Sequence, residues 1–346
     1  MREDSGESLA TSFAGMLGKP VASVHPAGGG GRNSRVYQVT CQGSERYIAK
    51  VYPAAGLGQR DRLETEFGCL SFLWENGLRC IPKPIAADRE AGKAIYEYIE
   101  GLNLISSEIS ASDAGQAAAF LLRLKDLRSA EGTADIGPAA EACFSVQEIL
   151  DNINQRLDRL LSLDEPGSQY QDLGRFLQTQ LQPTLADVRH RAERELGTSI
   201  SLEISREERT LSPSDFGFHN ALRRPNGELV FLDFEYFGWD DPAKMISDFL
   251  LHPAMEINGP LRATFLTGAL DGFEDYPALD DRVRLVFPLF ALKWCLILLN
   301  EFVPERLARR RFDGGEQADP SMIQVQQLDK ARVMLAKASP DYEYAN

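Results

Sequence analysis

Along the first hundred residues, apolar positions fall in short β-rich runs separated by turns. "VASVHPA" (21–27) predicts one strand, "GGGGRNS" (28–34) a turn, and "RVYQVTCQGSERYIAKVY" (35–52) a hairpin closed near Gly43. In "RDRLETEFGCLSFLWENG" (60–77) the spacing changes. Leu63, Phe67, Leu70, Leu73 and Trp74 recur at helical intervals, with Gly77 as the stop. Strands return at "PKPIAAD" (82–88) and "KAIYEYIEG" (93–101). From residue 103 onward the period is helical, with 3.6-residue stripes over 113–127, 146–161 and 173–196. A sheet-like stretch, 211–234, interrupts them, turning at Pro225–Asn226–Gly227. Further helices are predicted over about 242–273, 279–303 and 320–338. The pattern gives an α+β chain with a small, mostly β N-terminal lobe and a larger, mostly helical C-terminal lobe.

Composition narrows the class. A chain of 346 residues, 43% hydrophobic, can bury a sizeable core and favours two lobes over one. Its net charge of -14 argues against a nucleic-acid partner, which calls for a basic footprint. Cys41, Cys69, Cys80, Cys143 and Cys295 are scattered and lack CxxC spacing, so they read as buried thiols in a reducing compartment, with no zinc site. The polar start "MREDSGESLA" is unlike a secretory signal. Leu285–Leu299 is the most apolar segment, but Pro288 and Lys293 interrupt it and it falls short of the roughly 20 residues a membrane span needs. The expectation is a cytoplasmic enzyme or binding protein without a membrane partner.

The chemistry-bearing stretch is "LSPSDFGFHNALRRPNGELVFLDFEYFGWDDP" (211–242). It sets Asp215, Asn220 and Asp233 beside apolar strands, where an unpaired carboxylate is costly. Asp215 and Asn220 lie five apart in a non-helical turn, and Asp233 ends the run "LVFL". One Asp there reads as a turn residue. Together with Asn220, however, Asp233 makes a hard oxygen set suited to Mg2+, and Asp215 is placed to accept a hydroxyl proton. Upstream, the 28–34 turn joins two strands, so it fits neither a dinucleotide fingerprint nor a P-loop. Its missing side chains still let backbone N–H groups approach phosphates, with Gly30, Gly31 and Ser34 as the candidate positions. Lys50 interrupts an apolar strand, and a carboxylate on the next helix, Glu66 or Glu64, could hold it. Glu66 is preferred, one turn before the apolar face.

"DFGFHN" followed by "LDFE", Gly238, Asp241–Pro242 and Asp248 resembles the active-site segment of the aminoglycoside phosphotransferase and choline kinase family, small-molecule relatives of protein kinases. Looser matches run from "GGGGRNSRVYQV" through "IAK", "ETEFGCLSFL" and "YEYIEG" to "SDFLLHP". The resemblance implies a bilobal protein-kinase-like fold. Residues 1–100 would be the nucleotide-binding lobe and 101–346 the catalytic and substrate-binding lobe. It implies ATP and Mg2+ as cofactors and a small-molecule hydroxyl as phosphoryl acceptor. Lys50 would position phosphates, Glu66 hold Lys50, and Asp215 act as base. Asn220 and Asp233 would hold the metal, and the backbone near Glu97, Tyr98 and Ile99 the adenine. Asp241 and Asp248 match positions that brace the loop and cap the next helix.

One departure stands out: Pro213–Ser214 replaces the family's His-Gly before the catalytic Asp. It supports the rival reading, a nucleotide-binding regulatory protein with little turnover. His219 is expected to be an oriented loop side chain, and Tyr236, Phe237 and Trp239 to pack that loop. The acidic balance, with Glu235, Asp240 and Asp241 crowding the segment, favours a cationic acceptor. "RLARRRF" (306–312) is expected to be a solvated helix end.

Overall fold

Antiparallel pairing accounts for the short runs of the first hundred residues. In this computed structural model, which describes residues 6–27, 34–54, 56, 60–255, 257–304, 319–339 and 342, the chain opens with helix α1 (Gly6–Leu17). Strands β1 (Val21–Pro26), β2 (Arg35–Cys41) and β3 (Arg46–Val51) precede helix α2 (Arg62–Glu75), and β4 (Pro84–Asp88) and β5 (Lys93–Glu97) follow it. The five strands form one sheet in the order β1–β2–β3–β5–β4. Asp61 caps α2 by accepting from the Glu64 amide, and Gly77, at φ +83°, takes the left-handed conformation that ends it.

The acidic start hid a helix that the pattern gave no reason to discard. Leu9, Phe13, Met16 and Leu17 recur at i, i+4, i+7 and i+8. Leu9 and Phe13 form a buried cluster with Val39, Ala49 and Ile95 of the sheet.

Packing divides the chain into two compact units that do not follow a single cut at residue 100. The first comprises residues 1–108, 123–140 and 211–238, and the second residues 109–122, 141–210 and 239–346. The chemistry-bearing stretch up to Gly238 therefore packs with the N-terminal sheet's unit, more than a hundred residues away in sequence. There β6 (Leu102–Asn103) pairs with β8 (Ala221–Arg223), and β8 with β9 (Leu229–Phe231), in a second antiparallel sheet closed at Pro225–Asn226–Gly227. The short strands β7 (Thr210–Ser212) and β10 (Gly238–Asp240) lie where the chain passes between units.

The second unit is helical. α3 (Ala111–Asp126) enters it, and α4 (Val146–Leu161) begins with a reciprocal Ser145–Glu148 capping box. α5 (Ser168–Phe176) runs through one wide turn, Leu177–Leu181, into α6 (Gln182–Leu196). α7 (Pro242–Leu251), α8 (Gly259–Asp271), α9 (Leu279–Leu298) and α10 (Pro320–Ala336) follow. α9 packs against α4, α7 and α10 and continues through Pro288. The expected shortfall in length is corrected here: Leu279–Phe302 is long and apolar enough, by length and composition, to cross a membrane, and 67% of its window is buried in the protein's own packing.

Several buried charges in this unit are paired. Lys244, 1% exposed, lies 2.7 Å from Asp240 and 3.2 Å from Asp248, whose second oxygen accepts from Trp294 Nε1. Asp241 caps α7 through the Ala243 amide and bonds Arg282. Asp241 thus caps the helix as expected, whereas Asp248 sits inside it. Glu141 takes φ +60° and meets Arg156 at 2.5 Å and buried Lys293 at 3.2 Å. The five cysteines are free thiols; Cys41, Cys69, Cys143 and Cys295 are buried and Cys80 is half-buried.

Two outcomes follow. Phe13→Ala should lower unfolding free energy by about 3–5 kcal/mol in urea titration, because α1 is part of the sheet's core. Burial alone would raise the Glu141 carboxyl, but Lys293 and Arg156 outweigh it and hold the group at about 2, below the ordinary 4.5. A depressed carboxyl stabilises fully above its unfolded value, and that contribution is lost as pH falls through about 2. Urea midpoints followed from neutral pH downward should therefore fall more steeply for the wild type than for Glu141→Gln.

Candidate functional site

Three distant pieces of the first unit meet at one ammonium group. Lys50 Nζ, on β3, donates to Glu66 Oε1 at 2.7 Å and to Asp233 Oδ1 at 3.2 Å. Glu66 sits on the buried face of α2 and is 2% exposed. Glu64, two residues earlier, turns outward and pairs with Arg89, so helix register selects Glu66. Burial alone would lower the Lys50 pKa, but the Glu66 and Asp233 carboxylates reverse that and raise it above the usual lysine range.

Glu66 has further donors. Tyr52 OH donates to Oε2 at 2.6 Å and lies 2.9 Å from Tyr96 OH, while the Phe234 amide approaches Oε1 at 3.4 Å. Burial, and then the Glu66 charge, push both tyrosine hydroxyls well up, so they stay protonated as donors. These two residues were missed in the sequence, although a signal existed. Tyr52 follows Lys50 by two, and Tyr96 lies opposite Ile48 on the neighbouring strand, which is the same-face relation of a pleated sheet.

Asp215 and Asn220 lie on the turn before β8, with Asn220 closing a single 3₁₀ turn. Asn220 Nδ2 donates to the Asp215 carbonyl at 2.9 Å, which leaves its Oδ1 as the side-chain atom able to accept or ligate, and its own carbonyl accepts from the Leu232 amide. His219 Nε2 lies 3.1 Å from Asp215 Oδ1, an oriented loop side chain as expected. Asp233 takes φ +65°, a left-handed conformation uncommon outside glycine, with asparagine and aspartate among the exceptions. Two oxygen donors, a carboxylate and an amide carbonyl, fit a hard divalent cation such as Mg2+.

Glu97 ends β5, where it bonds the Lys83 amide and meets Arg224 at 3.4 Å. Ile99 lies two residues on and is buried. Ser34 forms a bend leading into β2, two residues before Val36, the cross-strand partner of Lys50. Gly30 and Gly31 lie outside the described residues, as does 306–312.

The acidic crowding is corrected. Glu235, Asp240 and Asp241 are buried, at 2%, 0% and 0% exposed. Arg62 lies 3.9 Å from Glu235, Lys244 pairs with Asp240, and Arg282 pairs with Asp241. Their charge is spent inside the protein and gives no argument for a cationic acceptor. Trp239 and Phe237 are buried, so they pack as expected.

The model of the phosphotransferase enzyme family matches residues 23–282. No curated protein matches the chain significantly. Among solved structures, choline kinase LicA from Streptococcus pneumoniae superposes with TM-score 0.61 at 19% identity, over 96% of this chain and 98% of that one. Amicoumacin kinase hAmiN, in complex with AMP-PNP, Ca2+ and Ami, gives 0.60 at 14% identity, over 98% and 96%. The ADP-bound aminoglycoside phosphotransferase APH(2'')-Ib gives 0.58 at 15%, over 98% and 99%. The fold is therefore the protein-kinase-like one, with a β-sheet N-terminal part and a helical C-terminal part.

Tyr52→Phe leaves a buried carboxylate oxygen one donor short. It should cost about 1–3 kcal/mol in urea unfolding. The adjacent Cys69→Ala, which removes no donor from the Glu66 carboxylate, serves as comparison and separates loss of the hydroxyl from loose packing.

Proposed function

The chain belongs to the phosphotransferase enzyme family, and from that premise we propose that it is a small-molecule kinase moving the γ-phosphoryl group of ATP to a hydroxyl. The observation that carries this is the Lys50 ammonium, shared between Glu66 and Asp233. A lysine so held has a fixed position from which to meet phosphate oxygens, while Asp233 keeps its second oxygen for a metal. Solved relatives bound to ADP, or to AMP-PNP with Ca2+, are consistent with a nucleotide and a divalent ion in this fold.

In this reading Asn220 Oδ1 and Asp233 would hold Mg2+, which when bound neutralises phosphate charge. The backbone around Glu97 and Ile99 would receive the adenine, and the turn containing Gly30, Gly31 and Ser34 would cover the phosphates. Asp215 accepts the proton as the acceptor hydroxyl attacks, and His219 at 3.1 Å orients that carboxylate. The work of this chain's residues is then positioning and charge complementarity rather than covalent chemistry.

The test pairs AMP-PNP titration, with and without Mg2+, with detection of phosphorylated product across amino-alcohol, sugar and aminoglycoside acceptors. Asp215→Asn should keep nucleotide affinity and lose about 10²–10⁴-fold in turnover. Asp233→Ala should lose turnover together with the Mg2+-dependent part of nucleotide affinity. Wild-type turnover in Asp215→Asn removes Asp215 as base. Nucleotide binding with no product from any acceptor favours the regulatory reading that Pro213–Ser214 raised.

A further inference from the structure

The departure at Pro213–Ser214 has a distinct geometry. Ser214 takes φ +69°, and the Asp215 amide donates to the Pro213 carbonyl at 2.9 Å. A hydrogen bond spanning three residues with a positive central φ describes a γ-turn of the rare, strained hand. A side-chain-bearing residue therefore occupies, immediately before the candidate base, a conformation that glycine adopts freely. Such strain persists only where the surroundings over-determine it.

Those surroundings are a short strut. Ser214 Oγ donates to the Ala140 carbonyl at 2.8 Å, and the Ser214 amide donates to Ser212 Oγ at 2.9 Å. The Ala140 amide donates in turn to the Tyr236 carbonyl at 2.9 Å, three residues past Asp233. One residue, through its own N–H and C=O, thus joins the turn that carries Asp215 and Asn220 to the loop that carries Asp233. The strut is clamped at its other end, where Arg60 donates to the Phe237 carbonyl at 2.9 Å and to the Pro138 carbonyl at 2.5 Å. Backbone contact there leaves no room: a Cβ at Gly238 would fall 2.4 Å from the Ala139 nitrogen and 2.5 Å from the Gly137 oxygen. All of these residues belong to the first unit.

We propose that Ser214 is a positioning residue whose hydroxyl, through the backbone of Ala140, sets the Asp215–Asn220 turn in register with the Asp233 loop. Serine here supplies a tether that the family's glycine has no side chain to make, and residues 137–140 transmit it. The tether also gives the strained turn its reason to persist, since relaxing φ would swing Oγ away from Ala140. The assignment of Asn220 and Asp233 as metal ligands, on which one arm of the test depends, rests on the reading proposed above.

The first measurement needs no ligand. Amide hydrogen exchange on the full chain should show faster exchange in Ser214→Ala, by about ten-fold or more, both at 214–216 and at Ala140 with 236–238, because loss of the Ser214 Oγ donor loosens a half-buried hydrogen-bond relay. Ser214→Gly removes the same hydroxyl while relieving the positive-φ strain, so it guards against simple unfolding and should show the same paired increase. Faster exchange confined to 214–216, or none, overturns the tether. The second measurement compares AMP-PNP affinity with and without Mg2+. Ser214→Ala should leave the metal-free affinity unchanged and cut the Mg2+-dependent gain by about ten-fold, since the two ligand-bearing segments lose register. A paired exchange increase with an unchanged Mg2+ gain reduces Ser214 to a purely structural role and overturns the proposal. If wild type binds no nucleotide, the kinase reading fails, and the exchange result alone decides the tether.

Discussion

The candidate site hangs on one cation that must stay charged where water is scarce. Lys50 is a lysine in an apolar strand, and its ammonium would be expensive there without partners. Glu66 and Asp233 supply them from α2 and from the loop after β9, at separations of 16 and 183 residues. Removing either carboxylate leaves the ammonium with a single partner, so the sheet, the helix and the loop are tied into one arrangement by electrostatics as much as by packing. Glu66 is likewise saturated by Lys50, Tyr52 and the Phe234 amide, and this fixes its rotamer. The geometry at Lys50 is consequently over-determined from both sides.

Much of this was legible in the residues. Period-2 runs gave the strands, and period-3.6 stripes gave α2 and α4 close to their observed ends, while the single stripe over 173–196 took in the end of α5, the wide turn and α6 together. Helix register alone placed Glu66 rather than Glu64 toward Lys50, since only one of two residues separated by two positions can face the sheet. What stayed hidden depends on long-range pairing. No local pattern says that 211–238 packs into the N-terminal unit, or that Ala140 accepts from Ser214. Backbone conformation was equally silent: serine seldom occupies positive φ, and aspartate, though enriched there, still takes it at only a minority of positions, so neither Ser214 nor Asp233 carries a compositional mark of it. α1 differs in kind, because its apolar spacing is present in the sequence, set among acidic and polar residues that obscure it.

Counting carboxylates misled for a related reason. Glu235, Asp240 and Asp241 lie within seven residues and look like an acidic face, yet Arg62, Lys244 and Arg282 meet them. A buried pair of this kind contributes little net stability compared with apolar residues of the same volume, but losing one partner is severe. In the second unit, the Lys244 and Arg282 pairs hold the start of α7, and through it the approach to α9, in a single alignment.

Because those internal pairs cancel, the formal charge of -14 is not stored in them and must be expressed by the remaining groups. A nucleotide is itself an anion, so its long-range encounter with this chain is uphill until it comes within about 8 Å of a local cation, roughly one Debye length at physiological ionic strength. Added salt screens the repulsion before it weakens the close contacts around Lys50. In the proposed kinase reading, nucleotide capture would therefore be faster in moderately salty solution than in dilute buffer, the reverse of the usual behaviour of proteins that steer their ligands by opposite charge.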